Sequence, residues 1–526
     1  MNGAVADLLH ELIEDAARVA PERLAVVAPD GTATFAELDD AVRALAGWVA
    51  ERTAPGDRVA IVADNSLAYA QCYYAVPRAG RVLTLVNQRL APGEQAAQVA
   101  AAEPALLVGE RRFLDALAPL DGGVGLPAVA FGSDEWGAAV TGEPAPGDEV
   151  RVVADAPAWL LFTSGSTGAP KGVVHTHRSL LAAAAGTIEG RGVAEAGVYL
   201  LPFPMCHVAG YNLFVQHARR STVVLTANFR ADEFVGLVDD HGVATCSLAP
   251  TMLHALVAHL DGQGLGHGEA TAVMASLRGI AYGAAAMSPD LLRRAAERLD
   301  VGFDQGYGMT EAGGNVTFLG PDEHRRGLAG EPALLRTAGR PHSGVEVRIV
   351  DDAGVPLPEG EPGEIALRGD QVAPAYWRDA EATSEARTPD GWFRTGDIGV
   401  LDADGRLSVV DRRKDVIITG GENVSSREVE DVLSTHPAVD QVAVVGVPDA
   451  YWGEAICAVV VVVRGDARPS ADELVAHVRN HLSPFKRPRH VVFVDALPTT
   501  TNGKVAKDAV RALAGAALDG QAPPEA

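Results

Sequence analysis

The sequence predicts an α/β protein in two unequal units. The larger is an N-terminal domain of mixed, mostly parallel sheets flanked by helices, with a small β-rich subdomain. The smaller is an α+β C-terminal domain. Three observations lead there. Apolar runs at residues 58–63 and 81–86 flank a helical segment at 66–78, the alternation expected of strands covered on both faces. From Gly344 onward the pattern becomes a half-buried alternation over 345–350, typical of antiparallel strands. After Asp411 it changes once more, to helix, two strands, helix and strand over about a hundred residues, enough to fold alone. The division is therefore drawn at 1–411 and 412–526. A chain of 526 residues needs several packed units in any case.

The elements follow in order. Residues 7–19 form an amphipathic helix with Leu8, Leu9, Leu12 and Ile13 on one side, ended by Pro21. Thr34 and Glu37 make a capping-box pattern before a second helix, whose inner face is Leu38, Val42, Leu45 and Val49. Pro77 blurs the end of the helix at 66–78. Residues 106–108 add a strand, and the Pro-, Gly- and acid-rich stretch 141–149 is an exposed connection. Strands at 222–225 and 244–248 continue the alternation, and 262–268 is a surface loop by composition. In the β-rich part, strands are expected at 345–350, 364–368 and 407–410. The last unit has helices at 426–433 and 471–482 and strands at 442–447, 455–463 and 491–494. The tail from Ala514 is expected to fray. There is no internal repeat.

Composition excludes several functions. A net charge of −25 argues against a nucleic-acid partner, because phosphate contacts need a basic surface. Cys72, Cys206, Cys246 and Cys457 are widely spaced and form no CxxC pair, so neither a zinc site nor a disulfide framework is indicated. The N-terminal stretch carries acid where a signal peptide carries base. No apolar run approaches the roughly 20 residues of a membrane span. A cytoplasmic location is expected.

The chemistry concentrates in residues 160–175, LLFTSGSTGAPKGVVH. A buried strand end gives way to hydroxyls (Thr163, Ser164, Ser166, Thr167), glycines (Gly165, Gly168, Gly172) and Lys171, and then to a second strand. Small residues let backbone N–H groups turn toward an anion, and lysine offsets its charge. A Gly/Ser-rich surface turn is the plainer alternative, but these residue types occur here without a gap. It is not a P-loop of the GxxxxGK[ST] kind: Lys171 follows Pro170, and Gly172 stands where a magnesium-binding hydroxyl is needed. Some acidic residue elsewhere must take that task.

Other clusters suit the same ligand. Tyr307 to Glu311 combines an aromatic, a hydroxyl and a carboxylate able to hold magnesium, although Thr310 as a simple helix cap fits too. Asp397 ends a tight turn and suits a ribose diol. Lys486, Arg487, Arg489, Lys504 and Lys507 make a basic region in an acidic chain, and Asn502-Gly503 favours a turn that presents Lys504.

Together these stretches resemble the adenylate-forming superfamily, which includes acyl-CoA synthetases, adenylation domains and beetle luciferases. The resemblance rests on TSGSTGAPKG, on Pro204-Met-Cys-His207, on Tyr282-Gly-Ala-Ala285 with Gln305 to Glu311, on Thr395-Gly-Asp397, on Asp411 to Lys414 and on Asn502-Gly-Lys504, all in the family's order. It implies an acid–CoA ligase working in two half-reactions with ATP, Mg2+ and CoA. By resemblance, Thr163, Ser164, Gly165, Ser166, Thr167, Gly168 and Lys171 hold the phosphates. Gly283, Ala284, Ala285, Gln305, Gly306, Tyr307 and Gly308 hold adenine. Asp397 and Arg412 take the ribose. Thr310, His207 and Lys504 are catalytic, and Glu311 is both catalytic and the metal ligand. The small domain is expected to be a mobile lid hinged at Lys414, with Gly420 and Gly421 letting the thiol approach. Tyr211, Asn212, Tyr282, Gly314 and Asn315 are expected to line the acid pocket, small residues leaving space there. A medium-chain or aromatic acid is favoured, and a small oxyanion is the other candidate. Alternatives to CoA transfer are loading of a carrier protein or another nucleophile, and a non-catalytic nucleotide-binding homologue. A homodimer is compatible with the resemblance.

Overall fold

Short strands with no polar interruption must be covered on both faces, and helices of the same chain supply the cover. The computed structural model describes residues 6–120, 125–142, 151–163, 171–264, 268, 272–283, 287, 289–419, 422–449, 451–463, 468–500 and 504–519. A seven-stranded sheet runs in the order Ala375–Tyr376, Lys171–Thr176, Pro157–Thr163, Val82–Leu85, Arg58–Val62, Leu106–Gly109, Ala128–Ala130. It is parallel from Pro157–Thr163 outward, whereas Lys171–Thr176 folds back antiparallel as a hairpin. A nine-stranded sheet runs Arg340–Pro341, Gly314–Leu319, Gly302–Met309, Gly279–Gly283, Thr245–Leu248, Val198–Leu201, Thr222–Leu225, Leu24–Ala28, Gly31–Thr34. Its centre is parallel and both ends are antiparallel.

One core joins the two sheets. The helix Leu67–Arg78 is buried along nearly its whole length, and Tyr69, Tyr73 and Tyr74 pack among residues of both sheets. Tyr73 meets Trp159 at 4.5 Å between ring centroids, and Trp159 meets Phe214 at 5.0 Å. Pro77 is tolerated because it sits in the last turn, and Ser66 caps the start through Tyr69 N. The expected capping box is present: Thr34 Oγ1 accepts from Glu37 N, and Glu37 accepts from Thr34 N at 2.8 Å. Leu38, Val42, Leu45 and Val49 are buried as the periodicity predicts. The first helix spans Glu11–Val19, starting later than expected; Leu9 and Ile13 are buried while Leu8 is only partly so.

The β-rich subdomain is a four-stranded antiparallel sheet in the order Val345–Val350, Gly363–Gly369, Phe393–Leu401, Leu407–Arg412. The last unit is built on Val439–Asp449 paired antiparallel with Gly453–Val462, which also takes His490–Phe493 in parallel. Helices Ser426–Leu433 and Ala471–His481 cover one face. Lys507–Asp519 covers the other, with Val510 and Ala514 fully buried against Val445, Cys457 and Val459. The expected fraying from Ala514 is therefore wrong up to Asp519, because that helix closes the second face of the sheet. All four cysteines are buried and free, and among the described residues no helix is long and apolar enough to cross a membrane.

Two histidines of the large core are buried in neutral form. His177 Nδ1 accepts from Leu9 N, and His217 bridges Ala25 O at 3.1 Å and the Tyr74 hydroxyl at 2.7 Å. Burial lowers His217 from 6.5 to about 4 and His177 to about 3. The unfolded chain takes up these protons first, so each histidine's contribution is full above about 6.5 and is lost as pH falls toward 4, at up to about 1.4 kcal/mol per pH unit. In His217→Gln the urea midpoint should fall less steeply between pH 7 and 5 than in the parent; parallel slopes would reject this account.

Candidate active site

The hairpin sets two of the expected residues opposite each other. Thr163 pairs with Lys171 at the end of the two strands, and the Thr163 hydroxyl donates to Lys171 O at 3.4 Å. Ser164, Gly165, Ser166, Thr167 and Gly168 lie outside the described residues, as do Ala284, Ala285, Gly420 and Gly421. The Lys171 ammonium stands 5.4 Å from the Tyr376 ring centroid. The Tyr376 hydroxyl in turn donates to Glu311 Oε1 at 3.0 Å. Burial raises the Glu311 carboxyl, with the Tyr376 bond and Arg412 acting against it.

The strand Gly302–Met309 ends in a short 3₁₀ turn, Thr310–Ala312. Three neighbours hold that turn. His175, fully buried and lowered to about 4, donates from Nε2 to Thr310 O at 2.7 Å and faces Ser179 through Nδ1. Gln371 donates to Ala312 O and Asn315 O, and Ala373 N donates to Glu311 O. The position of Glu311 is thus set by a segment some sixty residues later in the chain.

A second carboxylate anchors the other side. The Tyr307 hydroxyl donates to Asp397 Oδ2 at 2.7 Å. Arg412, register partner of Asp397 across the strands, brings Nε to 3.6 Å from Oδ1. Burial raises Asp397, opposed by Tyr307, Arg412 and Lys504. Lys504 is itself lowered to about 8 by burial and by Arg412, against the pull of Asp397. A series of groups that act on one another in turn thus links two lysines more than 300 positions apart: Lys171, Tyr376, Glu311, Arg412, Asp397, Lys504.

The residues expected around the acid divide between two faces of the nine-stranded sheet. Asn315 Nδ2 donates to the Tyr211 hydroxyl at 3.2 Å, and that hydroxyl also meets Thr187 Oγ1 at 2.8 Å. Asn212 is buried, donating to Ala209 O and facing Arg191. His207 precedes the 3₁₀ turn Val208–Tyr211. Tyr282 and Gln305, neighbours in register, occupy the opposite face, where the Tyr282 hydroxyl meets His324 at 2.8 Å. Glycine does not leave open space at two positions. A Cβ on Gly306 would lie 2.6 Å from Asn315 Cγ, and one on Gly314 would lie 2.6 Å from the Tyr211 ring. Both glycines serve close packing, and Gly314 adds a backbone at φ +150°.

The last unit is tied on by a small polar network. Asp411 Oδ2 accepts from Ser426 N and Ser426 Oγ, each at 2.7 Å. Lys507 bonds Ser426 and lies 2.9 Å from the buried Glu430 carboxylate. Lys414 reaches Asp508 at 3.4 Å and Arg511 reaches Asp415 at 3.6 Å. The basic region is largely engaged within the chain, since Lys486 pairs with Glu428 at 2.6 Å and Arg489 stacks on Trp452 at 3.7 Å. His175, Tyr376, Gln371 and Asp411's bond to Ser426 were not foreseen as site features. Only Tyr376-Trp377, an aromatic pair between Ala375 and Arg378, leaves a signal in the sequence.

Such a site, a lysine-bearing hairpin and buried carboxylates with a second lysine supplied by a terminal unit, has counterparts of known kind. The family model for AMP-binding enzymes matches residues 13–377, and that for the AMP-binding enzyme C-terminal domain matches 428–504. The chain belongs to the AMP-binding, adenylate-forming enzyme family. It is 36% identical over 498 residues to a feruloyl-CoA synthase of an Amycolatopsis species, covering 94% of this chain and 96% of that one. It is 33% identical to the fatty acid–[acyl-carrier-protein] ligase ScoC of Streptomyces coeruleorubidus, covering 93% of each. The solved amide bond synthetase McbA from Marinactinospora thermotolerans superposes with a TM-score of 0.84 at 34% identity, covering 95% of this chain and 99% of that one.

Gly314→Ala should cost about 1–3 kcal/mol, because neither the φ nor the Tyr211 ring can absorb a methyl group without a shift. Thermal denaturation checks this, and an unchanged Tm would mean that Tyr211 is free to move aside.

Proposed function

We propose that this enzyme is an ATP-dependent acid–CoA ligase. The placement of Lys504 beside Asp397 and Arg412 is the observation that carries the reading. In the first half-reaction a carboxylate oxygen of the acid attacks the α-phosphorus of ATP and pyrophosphate leaves. In the second, the CoA sulfur attacks the acyl carbon, AMP leaves and the thiol proton passes to solvent. A carboxylate and a triphosphate repel, so the first step needs cations placed where charge grows.

Lys171 and the hydroxyls from Thr163 to Thr167 would hold the outer phosphates. Tyr307 offers a ring to adenine beside Gly283, Gln305, Gly306 and Gly308, while its hydroxyl orients Asp397 toward the ribose diol. Thr310 would meet the α-phosphate, with its backbone already fixed by His175. Glu311, a buried carboxylate oriented by Tyr376, suits a hard cation, and magnesium bound there would neutralise phosphate charge. Lys504 would bridge the incoming carboxylate and the nucleotide, and His207 stands at the acid end. Residues 412–526 would then turn about Lys414, withdrawing Lys504 and bringing Gly420 and Gly421 to the thiol.

A second reading has support from the relatives named above: one loads a carrier protein and another makes amide bonds. Product masses with and without CoA distinguish the acceptors.

Lys504→Ala should lower ATP–pyrophosphate exchange about a hundredfold or more. Near-normal exchange would remove Lys504 from the first step. The pH profile supplies an independent check. The ammonium is charged below about 8, so kcat/KM for the first step should fall above that pH. Lys504→Arg should abolish that falling limb at the cost of rate. Lys414→Pro should stall thioester formation and spare exchange, since φ is locked; equal loss of both steps contradicts a hinge there.

A further inference from the structure

One face of the nine-stranded sheet carries charge where packing alone asks for none. Ser247 sits beside Ala281 in register and Ala281 beside Asp304, so the three share a face. Tyr199 lies on it too, donating its hydroxyl to Ser247. Thr187, which meets the Tyr211 hydroxyl, is one helical turn before Arg191 on the helix His177–Arg191. Arg191 thus lies one turn beyond the Tyr211–Asn315 pair, at the far end of the region assigned above to the acid. Its Nη1 makes only long contacts, 3.4 Å to Asn212 Oδ1 and 3.3 Å to Ser247 Oγ, and its Nε is buried without a partner.

Asp304 is the complementary group. Its Oδ1 is buried and unpartnered, and among the described residues its carboxylate forms no ion pair. Arg191 is nevertheless the charge that acts on it, while burial pushes its carboxyl up to about 6. Opposite charges on one face that form no ion pair with each other are costly unless something bridges them. The bridging group must accept from a guanidinium and donate to a carboxylate. A second carboxylate on the acid would satisfy Arg191 but confront Asp304. An ammonium would do the reverse, and a methyl end would leave both unmet. A neutral hydroxyl is both donor and acceptor.

Resting on the ligase reading, we propose that the substrate is an acid whose far end carries a neutral hydroxyl, received between Arg191 and Asp304. A site built to bond a hydroxyl rejects the analogue lacking it far more strongly than an apolar pocket rejects a size mismatch.

The test uses the full chain and two matched series: phenylpropenoic acid with its para-hydroxy and para-carboxy forms, and a saturated fatty acid with its terminally hydroxylated form. Pyrophosphate release should favour the hydroxylated member of the series that is turned over by at least about tenfold in kcat/KM. The ratio should fall toward one in Arg191→Met and in Asp304→Ala. A wild-type ratio at or below one, or a ratio that both variants keep, overturns the proposal. Calorimetric binding of the same acids with a non-hydrolysable ATP analogue separates the two levels. A hydroxyl preference in binding without pyrophosphate release supports this inference and overturns the ligase reading. Release without preference does the opposite, and neither binding nor release overturns both.

Discussion

The Asp397 carboxylate is the constraint on which the site depends. It is nearly buried, and a carboxylate in that position must be satisfied from several directions at once. Tyr307 reaches it from the nine-stranded sheet, Arg412 from the next strand of the antiparallel sheet, and Lys504 from the last unit. One charge therefore brings three structural units to a common point. The same arrangement depresses Lys504, because its ammonium is desolvated beside a second cation, Arg412. A lysine so placed is destabilised in its charged form, which suits the role proposed for it, to meet anionic phosphate and carboxylate in one step and then withdraw.

The attachment of the last unit obeys the same economy. Asp411 ends the antiparallel sheet, and Ser426 opens the first helix of the next unit; their hydrogen bonds, with Lys507 and Glu430 behind them, make a polar joint. Polar joints can be exchanged for water or for other polar partners at modest cost, whereas the Tyr73–Trp159–Phe214 core between the two large sheets cannot. Rigidity and mobility are thus separated by chemistry: aromatic packing where the scaffold must hold, hydrogen bonds and ion pairs where a turn is proposed.

The acid side shows how packing revises composition. Gly314 suggested an open pocket, but the Tyr211 ring fills the place of its missing Cβ, as Asn315 does beside Gly306. What stays unsatisfied is polar, at Arg191 and Asp304. Neither residue belongs to any motif in the sequence, and they are more than a hundred positions apart.

Local order was legible from the chain alone. The capping box at Thr34, the strands at Arg58–Val62 and Val82–Leu85 and the helix Ser426–Leu433 follow from periodicity and capping, which act within a few residues. The adenylate-forming family was legible too, since its motifs keep residue type and order. Where the C-terminal helix ends was misjudged, because burial of Ala514 comes from strands distant in sequence. The support of Thr310 by His175, of Glu311 by Tyr376, and the gap between Arg191 and Asp304 were decided by tertiary structure alone. Each is a relation between side chains on different elements. Hydrogen bonding and desolvation act through space, so no local pattern in the sequence encodes them.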